Sequence, residues 1–346
     1  MTTIKQRKHL LALIIMGNFL VSSTEPANGH HLTSVRFDTE TETSISGTVT
    51  RVDWRNPHVY LYVEGNNDNN ELVIWEIEGP PPATLHRAGW SRDSIAIGAN
   101  VTINGNPGRN PDDNIFLFAS LELGNGEVLG LMQAISALPQ QDAAITERAS
   151  SIEGTWGTVF DMEANLQLIN TSQLTLTAKG QQALASYIEV TDNPGLNCTP
   201  GAPPAVMLIP DIKTIEINDG TVVIRGEFES MTRTVYLNQY SHEGAEVSLF
   251  GHSIGRWEGS TLVIDTTHFS PHRQGNAIGL PSGEQKQLIE RLSLNEDGSR
   301  INYHYELADG EYLASTVSGE VEWAYRPDLE FVELPCDVEN VRKFAQ

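Results

Sequence analysis

The first half of the chain alternates apolar and polar residues with the period of two that is typical of half-buried strands. In one such segment, Ile45, Gly47 and Val49 alternate with polar residues. The segments of this kind span residues 45–54, 58–63, 72–78, 101–105 and 115–123. Between the third and the fourth segment, residues 80–90 predict one short helix that is entered through prolines. Three strands, a helix and two strands are the element order of an OB-fold barrel.

The second half of the chain is predicted to consist of β-hairpins. Asn218-Asp219-Gly220, a strong tight-turn signal, separates the strand-like runs 212–217 and 221–228. Further strand-like runs span residues 233–237, 261–266, 288–294, 300–307, 317–325 and 329–334, and residues 176–187 have helical spacing. About seven or eight such strands favour an antiparallel barrel that encloses a ligand cavity, or a sandwich.

The predicted fold class is therefore all-β, with an N-terminal OB-like barrel and a C-terminal antiparallel lipocalin-like barrel or sandwich. The lipocalin comparison rests on Gly154-Thr155-Trp156, which is similar to the Gly-x-Trp that opens lipocalins. The expected parts of the chain are a signal peptide (1–29), the OB-like domain (30–124), a linker (125–150) and the second β domain (151–346).

The N-terminal residues have the three regions of a secretory signal. A basic start is followed by an apolar run over residues 10–21 and by the small residues of Ala27-Asn28-Gly29 at the cleavage point. Cleavage near Gly29 predicts a periplasmic or secreted protein that begins at His30. No later run reaches the ~18 apolar residues of a membrane-spanning helix. The mature protein is therefore expected to have no transmembrane segment and to be soluble or peripheral.

The charge of the chain limits the class of partner. The formal net charge is −23 at pH 7. Because such a surface repels phosphate backbones, no nucleic-acid partner is expected. A small-molecule ligand is the expected partner, and the sequence does not define an oligomeric state.

The chain contains two cysteines, Cys198 and Cys336. An even pair in an oxidising compartment predicts one disulfide. The alternatives are two free thiols or a thiol nucleophile. Since no Cys-x-x-Cys spacing is present, a redox motif is disfavoured.

A histidine pair follows the predicted cleavage point and suggests a metal site. An N-terminal His30 offers an α-amine and an imidazole, which are nitrogen donors suited to copper and zinc. If this segment folds back, His31 and His58 complete the nitrogen set of a copper histidine brace. The alternative is a solvated tail together with a His58 that bonds a backbone group. Copper is the one cofactor that the sequence suggests.

The hairpins of the second domain carry the candidate catalytic residues. Asp265, at the end of an apolar strand, is a candidate general base with His268 as its partner, and Arg291 is a candidate for binding a carboxylate or carbonyl oxygen. The alternative is a buried structural Arg–Asp pair. The candidate ligand-binding residues on the same hairpins are Arg256, Trp257, Glu290, Tyr303 and Tyr305. Arg256-Trp257-Glu258 also fits a turn with a tryptophan wedge.

Other motifs are weak or absent. Glu76 and Glu78 point to one side of a predicted strand, where a solvated strand face is favoured over an acid–base pair. The chain contains no Gly-x-Ser-x-Gly, phosphate-binding glycine loop, His-Glu-x-x-His or dinucleotide fingerprint. Common hydrolases, kinases, zincins and dehydrogenases are therefore disfavoured.

Two sets of motifs carry a family resemblance. His30-His31, residues 54–58 (Trp-Arg-Asn-Pro-His) and residues 75–79 (Trp-Glu-Ile-Glu-Gly) resemble an uncharacterised family of exported bacterial proteins. Residues 251–259 (Gly-His-Ser-Ile-Gly-Arg-Trp-Glu-Gly) resemble a second exported module, which usually carries a Glu-Arg pair and a late Glu-x-x-Cys. Ser260 departs from the acidic residue common there. No activity is attached to either module, so the resemblance implies export and architecture only.

Three hypotheses for function follow. The leading one is an exported small-molecule-binding or accessory protein with a ligand cavity in the C-terminal barrel. The second is an acid–base enzyme of the lyase, isomerase or hydratase type that acts in that cavity. The third is a periplasmic copper-handling protein that uses His30.

Overall fold

The computed structural model describes residues 36–130, 147–159, 171–332 and 336–343. Its N-terminal part is a five-stranded barrel with the predicted OB order. The strands are β1 (Thr43–Asp53), β2 (Tyr60–Asn66), β3 (Leu72–Glu78), β4 (Asn100–Pro107) and β5 (Ile115–Leu123), with helix α1 (Pro82–Arg87) between β3 and β4. β1 pairs antiparallel with β2 and β4, and the parallel pairing of β3 with β5 closes the barrel.

The alternation in β1 directs its apolar side chains into the barrel. Val49 and Val52 are buried, and they pack with residues of the other strands and of α1 in one apolar core. Gly47 permits a close approach of β2, because a Cβ atom there would lie 2.2 Å from the carbonyl oxygen of Glu64. The strand β1 can therefore coil tightly enough to pair on both of its edges.

The C-terminal part is a closed barrel of nine strands. These are β7 (Gly154–Thr158), β8 (Ile212–Asn218), β9 (Thr221–Gly226), β10 (Met231–Tyr236), β11 (His252–Glu258), β12 (Thr261–Thr267), β13 (Gln287–Leu294), β14 (Arg300–Ala308) and β15 (Val317–Tyr325). Neighbouring strands pair antiparallel except β10 and β11, which are parallel. The structure thus confirms a barrel rather than a sandwich, with more strands than predicted.

The remaining elements are short. The α-helices are α2 (Ala178–Ala185), α3 (Glu189–Asp192), α4 (Ala205–Leu208) and α5 (Val338–Arg342), and 3-10 turns span Arg92–Ser94, Thr171–Gln173, Pro194–Asn197 and Phe228–Ser230. Strand β6 (Val128–Gly130) extends the N-terminal sheet by pairing with β5, so the start of the predicted linker is a strand. Residues 131–146 of that linker lie outside the described residues. In the part of the chain that is described, no helix has the length and apolar character needed to cross a membrane.

A buried polar network crosses the interior of the C-terminal barrel. The Arg233 guanidinium donates to both carboxylate oxygens of Glu290, with Nη1 to Oε1 at 2.8 Å. It also donates to the hydroxyls of Ser253 (3.0 Å) and Thr266 (2.6 Å), and the Tyr303 hydroxyl donates to Glu290 (2.8 Å). Burial alone would lower the pKa of Arg233, but the Glu290 carboxylate outweighs this effect and raises that pKa. Each member of this buried charge pair therefore has several hydrogen-bond partners.

A lysine is buried at the edge of this barrel, in the segment between β12 and β13. The Lys286 ammonium is 2% exposed, donates to the carbonyl oxygens of Pro203 (2.7 Å) and Gly275, and lies 4.2 Å from the ring centre of Phe269. Burial lowers the pKa of Lys286 to about 7, although Asp309 opposes the shift. The folded protein thus disfavours the charged form of this side chain.

This burial predicts a pH-dependent stability. Between pH 7 and about 10 the unfolded chain holds a proton on Lys286 that the folded protein lacks, so unfolding takes up a proton. The free energy of unfolding should then rise with pH by about 1.4 kcal/mol per unit from this group. Urea unfolding of the wild type and of Lys286→Met at several pH values measures the difference. Equal slopes in both proteins would contradict the prediction.

The predicted disulfide is confirmed. Cys198 and Cys336 are bonded, with their Cα atoms 5.8 Å apart. Cys336 also forms a parallel bridge with Asn56, which lies in the connection between β1 and β2 of the N-terminal barrel. We call residues 336–343 the C-terminal segment. The disulfide joins this segment, which lies against the N-terminal barrel, to the loop that precedes β8.

Candidate functional site

Three histidines meet on the outer wall of the C-terminal barrel, where they form the histidine cluster. His252 is the first residue of β11, His268 follows β12, and His242 lies in the connection between β10 and β11. The ring centres are 5.0 Å apart for His242 and His252, 5.9 Å for His242 and His268, and 6.5 Å for the third pair. Ser253 and Thr266 face the barrel interior. Because side chains alternate along a strand, the preceding residues His252 and Asp265 face outward.

Local backbone geometry holds the cluster in place. Gly251 has a φ of +72°, and a Cβ atom there would lie 2.6 Å from the Thr266 side chain, so only glycine fits immediately before His252. His268 itself has a φ of +57°. The backbone of Ser248 pins this turn, since its N–H donates to the carbonyl of His268 at 3.0 Å.

The hydrogen bonds of the cluster define its tautomers. His252 Nε2 lies 2.9 Å from Gln239 Oε1, and its Nδ1 lies 2.8 Å from His242 Nδ1. Because the Gln239 oxygen only accepts, a neutral His252 donates from Nε2 and accepts at Nδ1. His242 then donates from Nδ1, and a neutral His242 presents a lone pair at Nε2.

The Nε2 atom of His242 faces the carboxylate of Asp265. The two closest atoms, Nε2 and Oδ1, are 3.9 Å apart. Among the described residues, Nε2 is buried without a hydrogen-bond partner, while Asp265 Oδ1 accepts from Gln287 at 2.9 Å. In this tautomer both facing atoms are hydrogen-bond acceptors. One donor atom at ordinary hydrogen-bond length, about 2.8 Å from each, can bond both of them.

The electrostatics favour neutral rings. Burial lowers the pKa of His242, although the Asp265 carboxylate opposes the shift. Burial and the two neighbouring histidines lower the pKa of His252. Both rings are therefore neutral at pH 7, and the lone pair of His242 is available at that pH. Within the described part of the chain, no group of three histidine, cysteine, aspartate or glutamate residues is arranged to hold a metal ion.

The structure brings Asp265 and His268 into one cluster but leaves Arg291 apart from them. Arg291 is half-exposed on the same outer wall and donates to Glu258 Oε2 at 3.2 Å. Arg256 also donates to Glu258, at 2.6 Å from Nη2, and Trp257 is 40% exposed beside the β11–β12 turn. These predicted site residues therefore form a surface group around Glu258.

The other predicted ligand-binding residues lie inside the barrel. Glu290 and Tyr303 belong to the network of Arg233, and Tyr303 stacks on Trp323 at 5.1 Å. Tyr305 is buried beside Tyr303, and burial raises its pKa. These side chains contact one another inside the barrel.

The predicted copper ligands are only partly described. His30 and His31 lie outside the described residues. The Nδ1 atom of His58 is 2.9 Å from the carbonyl oxygen of Gly79 and 3.5 Å from Glu78 Oε1. His58 therefore bonds a backbone group, which is the alternative that the sequence left open for it.

Sequence reasoning missed His242 and Arg233. His242 lies in a polar connection without periodicity, and only the parallel pairing of β10 with β11 places it beside the hairpin. For His252 and His268, the hairpin turn in the sequence does indicate that they lie close together. A two-residue turn at Gly259-Ser260 sets His252 opposite Thr267, next to His268.

Comparisons with known proteins identify no activity. A family model described as a family of unknown function (DUF6152) matches residues 17–115, a range that includes β1 to β4. This match is consistent with the resemblance to an uncharacterised family. No curated protein matches the chain significantly.

One solved structure with a local similarity is the crystal structure of yeast Stn1 and Ten1. The match has 15% sequence identity and a TM-score of 0.18, and it covers 28% of this chain. The chain spans about half the length of that relative, 48% of which is covered. A similarity at this level carries no argument about function.

Proposed function

We propose that this chain is an exported small-molecule-binding protein whose ligand donates a hydrogen bond at the histidine cluster. The observation that carries the proposal is the pair of facing acceptors, His242 Nε2 and Asp265 Oδ1, 3.9 Å apart. A donor that bridges the pair bonds two acceptors at once, so such a group is favoured at this position. A ligand hydroxyl or ammonium group has this chemistry, and an ammonium also complements the carboxylate.

The location of this proposed site differs from the cavity predicted inside the barrel. That cavity stays a prediction. The described interior is occupied by Trp156, Trp323, Tyr303 and the Arg233–Glu290 pair, all fully buried. The outer wall is only half-buried, since the Asp265 side chain is 27% exposed and the His242 side chain is 16% exposed. A ligand therefore reaches the histidine cluster with less rearrangement than the interior.

Export is part of the same proposal. We propose that the signal is cleaved near Gly29 and that the protein is bacterial and periplasmic or secreted. A disulfide and the pattern of residues 1–29 support this location. Copper binding through His30 remains a separate prediction, tested by intact mass and copper titration of the exported protein.

Ring-nitrogen NMR of histidine-labelled protein tests the binding site. Ethanolamine, which carries both a hydroxyl and an ammonium group, is the probe. At pH 7 it should shift the Nε2 signal of His242 in a saturable manner. Below the lowered pKa of His242 the shift should disappear, because a protonated Nε2 donates instead of accepting.

Two variants sharpen this test. Asp265→Asn should abolish the effect, because the new amide can itself donate to His242 and fill the gap. Arg300 on β14 pairs with Glu322 on β15, outside the cluster, so Arg300→Gln should leave the effect unchanged. The proposal is contradicted if ethanolamine does not shift the Nε2 signal at pH 7, or if it shifts that signal equally in Asp265→Asn.

A second candidate function is acid–base catalysis at the same cluster. Neutral His242 presents a basic lone pair at Nε2, and the Asp265 carboxylate 3.9 Å from that atom would stabilise the imidazolium that forms when the ring accepts a proton. The ring of His268 stacks on that of His242. Catalysis of the lyase, isomerase or hydratase type would then depend on His242. Turnover that survives in His242→Phe would exclude this function while leaving the binding proposal to its own test.

A further inference from the structure

A second group of side chains with binding chemistry lies on the N-terminal barrel, on the face of β2 and β3. The C-terminal segment lies beside this face and is bonded to the connection between β1 and β2. Asp337 accepts from Arg55 at 2.7 Å, and the Asn340 amide donates to the backbone oxygens of Arg55 (3.2 Å) and His58 (2.8 Å). In OB-fold barrels this face commonly holds the ligand. Here it holds part of the same chain.

Lys343 of this segment places its ammonium group in an aromatic and acidic enclosure. The Lys343 Nζ atom lies 3.9 Å from the ring centre of Tyr60 and 4.9 Å from that of Tyr62, whose hydroxyl it also contacts. Carboxylate oxygens of Glu76 and Asp53 lie 3.5 Å and 3.8 Å away. We call these four side chains the ammonium cage. Two ring faces and two carboxylates are the groups that recognise a primary ammonium.

The cage is held by contacts that do not involve Lys343. The Tyr62 hydroxyl donates to Glu76 at 3.1 Å, and the Arg51 guanidinium lies 3.7 Å from the ring centre of Tyr62. Arg36 donates to Glu76 at 3.0 Å and to Glu78 at 2.8 Å. The carboxylates and rings are therefore positioned whether or not Lys343 is present.

Carboxylates lie close around the enclosed ammonium group. Asp53 and Glu76 belong to the cage and Glu78 lies beside them, and the guanidinium groups of Arg36 and Arg51 pair with these carboxylates. Loss of the lysine side chain would thus leave an arranged site that is lined by carboxylates.

We propose that the ammonium cage is a binding site for a primary alkylammonium ligand and that Lys343 is its intramolecular occupant. The inference is independent of the function proposed for the histidine cluster, which lies on the other barrel. A tethered occupant competes at an effective concentration in the millimolar range. The wild-type protein should therefore bind an external amine weakly, and removal of Lys343 should expose the site.

Calorimetric titration of the full chain with N-acetyl-lysine amide tests the competition. Lys343→Ala should bind this probe at least about tenfold more tightly than the wild type. The Nε-acetylated form of the probe should not bind, because it has no charge. The segment stays attached in this variant through Cys336 and Asn340, and Lys343→Gln serves as a second variant if the alanine protein does not fold.

Two further variants distinguish binding in the cage from a general effect of removing a positive charge. Tyr62→Leu added to Lys343→Ala should remove the gain in affinity, because one ring face is lost. Lys179→Ala removes another lysine that sits over a tyrosine, Tyr312, with Glu311 as its partner, but on an exposed surface. This variant should gain no affinity. Equal affinity in the wild type and Lys343→Ala, or equal binding of the acetylated probe, would overturn the proposal.

Discussion

Replacement of Glu290 by glutamine is expected to lower the free energy of unfolding by about 3–5 kcal/mol. Glutamine has nearly the same shape, so the change removes a charge and little packing. The Arg233 guanidinium would then be buried without a counterion, since it is 2% exposed and donates to both oxygens of this carboxylate. Tyr303 would also lose a charged acceptor. Urea unfolding at pH 7, followed by tryptophan fluorescence, measures the loss.

A double variant distinguishes charge from packing. Arg233→Met combined with Glu290→Leu removes both charges and keeps most of the volume, so it should be clearly more stable than Glu290→Gln alone. If the double variant is as unstable as the single one, the network stabilises through its shape and not through charge compensation.

A surface control completes the comparison. Glu258 also accepts from two arginines, Arg256 and Arg291, but all three side chains are exposed. Because water screens such pairs, Glu258→Gln should change stability very little. A loss in Glu290→Gln no larger than the loss in Glu258→Gln would show that the buried pair does not stabilise the barrel.

This network shows what alternation can and cannot predict. The pattern in β13 indicates that only one of Glu290 and Arg291 faces inward, and the structure places Glu290 there. The alternation does not indicate the partner of Glu290, because Arg233 comes from β10, a strand that is not paired with β13. Which strands face each other across a closed barrel depends on the number and stagger of all strands, and no local pattern contains that information.

The N-terminal barrel was more predictable than the candidate sites. Its strands alternate clearly, and the order of three strands, a helix and two strands is typical of one topology. The histidine cluster depends on a connection without periodicity and on a parallel pairing that hairpin reasoning does not anticipate. The ammonium cage depends on a C-terminal segment that returns to a barrel about 280 residues earlier in the sequence. The sequence favoured a solvated strand face for Glu76 and Glu78, and this expectation is wrong for Glu78, which is buried, while Arg36 pairs with both carboxylates.

Removal of the disulfide, by Cys198→Ser together with Cys336→Ser, is expected to lower the free energy of unfolding by about 4–5 kcal/mol. The bond joins residues 138 positions apart, so it closes a loop that contains the whole set of strands from β8 to β15. In the chain-entropy model, opening so long a loop greatly enlarges the unfolded ensemble. Both cysteines are replaced so that no free thiol complicates the measurement.

The position of Cys336 allows a different outcome to be recognised. If the bond only tethers the C-terminal segment, its loss should free that segment and leave the barrel unchanged. Hydrogen exchange distinguishes the two cases through the amide of Val341, which donates to Asp337 at 3.0 Å, and through core amides such as that of Ile264 in β12. The entropic account requires faster exchange at both positions under conditions of global unfolding. Faster exchange at Val341 with an unchanged urea midpoint would reject that account, and the disulfide would then act as a local clamp on the ammonium cage.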